Sequence, residues 1–81
     1  MAEETLANTV MQIVAKQFDQ QQVNPEDDVA RAYGAKSHDM IQLSAALQAQ
    51  FGIKITYIQS RGCKTVQDWI NMVEKLVGEA T

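Results

Sequence analysis

An all-α fold is predicted: a small four-helix bundle of three main helices and one short helix, with a long loop between the first and second. Three observations carry it. Apolar residues recur at helical spacing in three separate stretches, around 6–18, 41–51 and 66–77, as one buried face of an α-helix requires. Hydroxyl residues Ser37, Thr56 and Thr65 stand where helices would begin, and Gly52 and Gly62 where they would stop. Apolar and polar residues alternate only over Ile53 to Thr56, and one short strand cannot stabilise itself, so that stretch reads as an extended loop.

The first helix is expected from Glu3 to about Gln20, with Leu6, Val10, Ile13, Val14 and Phe18 as its core-facing stripe. Glu3 and Glu4 suit the positive end of its dipole. Gln20 to Gln22 runs into a connection spanning Val23 to Ala35, where Asn24-Pro25-Glu26 marks a turn or a short-helix start. Asp27-Asp28 lacks the alternating oxygen ligands and the glycine of a calcium loop and reads as a solvated acidic pair. Gly34 then leads to the second helix, Ser37 to about Gln50, with Ser37 as its cap and Ile41, Leu43, Leu47 and Phe51 at helical spacing. Thr56 caps a short helix over Tyr57 to Arg61, in which Ile58 is expected to be buried. Thr65-Val66-Gln67-Asp68 is a capping-box start for the last helix, whose stripe is Val66, Trp69, Ile70, Val73, Leu76 and Val77. The inward set for the three long helices is Leu6, Val10, Ile13, Leu43, Leu47, Phe51, Ile70 and Val73.

Size and composition narrow the function. The 81 residues suit one domain, 1–81, and the 46% hydrophobic content is that of a globular chain, not a disordered one. No run is long and apolar enough to cross a membrane, and the acidic start, Met-Ala-Glu-Glu, lacks the basic and apolar regions of a signal peptide, so a cytoplasmic protein is expected. A net charge of −3 argues against nucleic acid. Cys63 is the single cysteine, which excludes an internal disulfide and a cysteine metal cluster, and no metal is expected. Charge is segregated. Six acids oppose Lys16 in residues 1–28, whereas Lys36, Lys54, Arg61 and Lys64 oppose only Asp39 in residues 36–64.

An enzyme is not expected. Ser37-His38-Asp39 contains the residue types of a hydrolase triad, but adjacent helical side chains diverge by about 100° and cannot align as nucleophile, base and orienter. Cys63 reads as a small buried hydrophobe. His38, at a helix N-terminus where the dipole disfavours its charged form, reads as an exposed helix-start residue.

The stretch Gly34 to Phe51 resembles the centre of the acyl carrier protein family, in which Gly-x-Asp-Ser-Leu opens the second helix of a small four-helix bundle. Ser37 falls at the motif serine; Gly34, Asp39, Ile41, Leu43, Ala46, Leu47 and Phe51 fall at matching positions. The likeness runs from about Leu6 to Val77. Lys36 replaces the motif aspartate and His38 the motif leucine. The resemblance implies 4′-phosphopantetheine attached covalently to Ser37, with Lys36 and His38 flanking it and Lys36 able to pair with its phosphate. It also implies partner contacts at Asp39, Met40, Gln42 and Arg61. Expected partners are a phosphopantetheinyl transferase and acyl-loading, elongating or acyltransferase enzymes, served by a monomer. The second helix of ordinary members is strongly acidic and docks on basic patches; here Asp39 is its only acid, which points to a specialised lipid, polyketide or envelope-glycolipid pathway. Two rival readings are a carrier-like interaction module that is never modified and a serine hydrolase.

Overall fold

Five α-helices follow one another in the computed structural model, which describes residues 2–80, with side chains described from Leu6 to Glu79. They are α1 (Ala2–Gln17), α2 (Val29–Tyr33), α3 (Ser37–Phe51), α4 (Tyr57–Arg61) and α5 (Val66–Ala80). Helices α1, α3 and α5 are the long members. α1 packs against both α3 and α5, and α4 lies on α3. Among the described residues the only β pairing is an isolated antiparallel bridge between Asp28 and Thr65.

The apolar stripes meet as expected. Val10, Val14, Leu43, Leu47, Ile70 and Val73 are buried, and Leu6, Ile13 and Phe51 are partly buried against them. Trp69 is fully buried and is the largest side chain of the core, where its area dominates the packing. Its Nε1 has no hydrogen-bond partner. Cys63 is buried, donating to the Gln59 carbonyl, and burial pushes its thiol up to about 11, with Asp68 adding to the shift.

Several expectations need correction. α1 ends at Gln17, not about Gln20, because Asp19 takes a left-handed conformation (φ 55°) and Gln20 N–H reaches back to the Ala15 carbonyl at 2.7 Å. Glu3 and Glu4 belong to α1, but their side chains lie outside the described ones. The long loop contains a further one-turn helix, α2. Its cap is Asp28, whose Oδ1 accepts from Ala30 N–H (3.0 Å) and Arg31 N–H (3.1 Å). Asp27 is likewise not merely solvated. Its Oδ2 accepts from Asn24 N–H at 3.1 Å and from the Tyr33 hydroxyl. The Tyr33 hydroxyl is thus engaged by the loop's own acid. The ring stacks on Phe18 with centroids 5.7 Å apart, and burial, reinforced by Asp27, pushes the phenol up to about 12.

The loop is also sewn to the start of α5. Val29 N–H donates to the Lys64 carbonyl (3.0 Å), Val66 N–H to Asp27 (3.0 Å) and Gln67 N–H to Pro25 (2.8 Å). With Val29 fully buried, this fixes where the chain turns at Gly34 (φ 68°) and delivers it to α3. The α5 capping box forms as expected: Asp68 N–H donates to Thr65 Oγ1 and Thr65 N–H to Asp68 Oδ2, each at 3.1 Å. The backbone N–H groups of Thr65 and Lys64 hold the Asp68 carboxyl below its usual value.

Candidate functional site

Ser37 is the first residue of α3, not its cap. The cap position is Lys36, whose backbone is extended (φ −117°, ψ 175°). The start is closed from inside the helix, because Asp39 Oδ2 accepts from Lys36 N–H at 2.9 Å. The hydroxyl that was expected to cap is therefore left over. Ser37 is exposed, and among the described residues no side-chain partner engages it. It sits where first-turn N–H groups lack intrahelical acceptors, so negative charge placed there is favoured.

Ser37 stands on the lip of a cleft of about 440 Å³ between α3 and α4, lined by Lys36, Met40, Ile41, Tyr57, Ser60, Arg61 and Cys63 together with Ala35. A second depression of about 300 Å³ continues along the same seam, past Ile41, Ser44, Gln48, Ile55, Tyr57 and Ser60. Its wall is built by two cross-ties. Gln48 Oε1 accepts from Ile55 N–H at 2.9 Å, holding the extended loop on α3. Thr56 and Gln59 cap α4 reciprocally, at 2.9 and 3.1 Å. Ser60 is buried and donates to the Tyr57 carbonyl at 2.8 Å. Ser44 is buried too, but its Oγ has no partner.

The residues expected around Ser37 separate. Lys36, Met40 and Arg61 line its cleft. His38 does not; its Nε2 lies 2.9 Å from Gln42 Nε2, and Gln42 Oε1 in turn accepts from Gln17 of α1 at 2.9 Å. Asp39 is committed to the helix start. These bonds also dispose of a triad, since neither His38 nor Asp39 is bonded to the serine. Ile58 is not buried but 81% exposed. A helix of one turn has one inward direction, and Ser60 takes it. Ile41, which belongs to the apolar stripe by spacing, is 53% exposed. Met40, Ile41 and Ser44, which line these depressions, lie three, four and seven positions from Ser37 along one helix face; Ile41 and Ser44 were not assigned to the site in sequence, though that spacing was available to find them.

Comparison with known proteins decides the family. The profile of the phosphopantetheine attachment site matches residues 8–73. The acyl carrier protein of Solidesulfovibrio magneticus is 32% identical over 77 residues, covering 93% of this chain and 99% of that one. The chain belongs to the acyl carrier protein family. Acyl carrier protein 3, chloroplastic, of Cuphea lanceolata is also 32% identical, in an alignment 83 positions long that covers 95% of this chain and 55% of that protein. The crystal structure of the acyl carrier protein of Thermotoga maritima superposes with a TM-score of 0.82, covering 100% of this chain and 96% of that one; at 22% identity this supports the fold. An acyl carrier protein is a carrier and not a catalyst, and its cofactor is 4′-phosphopantetheine. The residues at the start of α3 fit such a group. An exposed hydroxyl, a helix N-terminus and the adjoining cations Lys36 and Arg61 suit a phosphodiester, and the cleft beside them offers apolar walls. Among the described residues no group of three His, Cys, Asp or Glu side chains is placed to hold a metal, and no helix is long and apolar enough to cross a membrane.

Proposed function

We propose that residues 1–81 act as a single carrier domain bearing 4′-phosphopantetheine on Ser37 and acyl groups as thioesters on that cofactor, in a specialised lipid, polyketide or envelope-glycolipid pathway. The observation that carries this is the unengaged, exposed Ser37 hydroxyl at the mouth of the α3–α4 cleft. The covalent step belongs to a transferase. Ser37 Oγ forms a bond to the donor's phosphorus, the donor's pyrophosphate bond breaks, the nucleotide leaves, and the hydroxyl proton passes to a base on the transferase. When bound, the group supplies a thiol that holds the acyl chain.

The chain's own residues bind and shelter. First-turn N–H groups and the Lys36 ammonium favour the phosphodiester, the latter by roughly 0–1 kcal/mol in so exposed a setting. His38, held by Gln42, flanks the attachment point outside the cleft. Met40, Ile41 and Tyr57 offer apolar surface to a chain leaving Ser37. Asp39, Met40, Gln42 and Arg61 are the contacts offered to loading, elongating or acyltransferase enzymes, with the protein working as a cytoplasmic monomer.

The test is the intact mass of the protein isolated from its own host, beside Ser37→Ala. A gain of one phosphopantetheine, absent in the variant, is expected. An unmodified wild-type mass would instead favour an interaction module that is never loaded.

A further inference from the structure

Among the described residues three large apolar side chains are exposed, and all belong to α3 and α4: Ile58 at 81%, Tyr57 at 57% and Ile41 at 53%. Ile41 and Tyr57 share a cleft with Ser37, and Ile58 follows Tyr57 on the outer side of α4. Ile58 is the most exposed of the three, and with Tyr57 and Ile41 beside it the apolar surface is grouped on one face, as at sites that a partner covers. The same cleft is flanked by two cations. The Arg61 guanidinium lies 5.6 Å from the Tyr57 ring centroid, and the exposed Lys36 stands on the opposite lip. Asp39 is the single acid between residues 36 and 64, and its carboxylate is turned onto the Lys36 N–H. The face is thus an apolar centre with a positive rim.

An enzyme that reacts at Ser37 Oγ must cover this face. A standard interface takes about 800 Å² from each partner, a disc of about 16 Å radius, and residues that line one 440 Å³ cleft with Ser37 fall inside it. Partner enzymes of this family dock on the helix that opens at the carrier serine; we propose that the phosphopantetheinyl transferase that serves this chain meets its α3–α4 face with an apolar depression rimmed by carboxylates, the opposite charge to the basic patches that receive an acidic second helix. The proposal rests on Ser37 being the attachment residue. Ile58 and Tyr57 fill the depression and fix residence time. Lys36 and Arg61 steer the encounter, since complementary rim charges act chiefly on association rate and are screened by salt.

The experiment uses the full chain in its apo form, the transferase of its native host, and coenzyme A as donor. Initial rates of mass gain are followed against carrier and against donor concentration, at low and high salt. Arg61→Glu and Lys36→Glu are expected to raise the KM for the carrier about tenfold at low salt, with the difference shrinking at high salt and the KM for coenzyme A unchanged. Ile58→Gln is expected to raise the carrier KM several-fold at both salts. Lys54→Glu, a cation outside the cleft, should behave as wild type, and helicity of each variant is checked by circular dichroism. Charge-reversed carriers that react as well as wild type or faster would overturn the acidic rim, as would an effect confined to the KM for coenzyme A. An unaffected Ile58→Gln would overturn the apolar depression. A wild-type chain that gains no mass would instead defeat the attachment of the cofactor to Ser37, and the docking proposal with it.

Discussion

Removing a polar group from the wall of the cleft should make this protein more stable. Ser44 is 7% exposed and its Oγ finds no hydrogen-bond partner. A buried hydroxyl in that condition carries a desolvation cost of about 1–3 kcal/mol. Ser44→Ala abolishes that cost, and alanine is also the better helix former by about 0.5 kcal/mol. Against this stands the lost packing of one oxygen atom, a few contacts of about 0.1–0.2 kcal/mol each. The net expectation is a gain of about 1–2 kcal/mol. For a domain of this length that is a rise in Tm of about 5–15 °C. Thermal and urea unfolding followed by circular dichroism measure it. Ala49→Ser, at an exposed position of the same helix, isolates the propensity term. The reasoning is refuted if Ser44→Ala is no more stable than wild type once that term is subtracted. Such a result would mean that the hydroxyl is satisfied after all.

Other expectations follow from the caps, the core and the titrating groups. Thr65→Ala should lose about 1 kcal/mol by urea unfolding, because it leaves Asp68 N–H without its acceptor. Asp68 has a folded pKa below its unfolded value of about 3.9, so its contribution is present above that value and fades as pH falls through the folded one. Asp68→Asn should therefore cost about 0.5 kcal/mol near neutral pH and nothing at the acid end, which a pH series of urea midpoints reads directly. Gly52→Ala should cost about 1 kcal/mol although no atom lies within 4 Å of the added methyl, since φ is 64° and the strain is purely conformational. Cys63 should react with a thiol reagent far more slowly in the folded protein than in urea at pH 8, where burial keeps it protonated; equal rates would place it at the surface.

Long helices were legible because many residues vote for one face. In α5 the Thr65–Asp68 box and six apolar positions agree, and both the boundary and the buried side followed. In α4 one turn offers no periodicity, so the apolar character of Ile58 suggested burial when the single inward slot belonged to Ser60. The start of α3 was misplaced by one residue because serine is the better intrinsic cap; the competing bond from Asp39 to Lys36 N–H decided the matter. Asp27 and Asp28 read as solvated because their partners are backbone groups and a tyrosine brought near only by the path of the loop. Ser44 was invisible for the opposite reason. It is a small polar residue on a buried face, and hydrophobic patterning does not count it. The cleft itself was partly readable, through helical spacing from Ser37, but its far wall is contributed by α4 and required the fold.

The bonds that sew residues 25–29 to the start of α5 make the two sides of the cleft unequal. On one side α3 is braced by α1 and is positioned by a loop anchored at three backbone points. On the other, α4 is a five-residue segment that rests chiefly on α3 and is slung between the extended stretch 53–56 and Gly62. A guest that needs more room will therefore move the door and leave the doorpost in place. Ser37 belongs to the doorpost. Its position relative to α1 and α5 is expected to hold when α4 shifts, so an enzyme that aligned on the long helices would find the serine at the same place with the cleft narrow or wide.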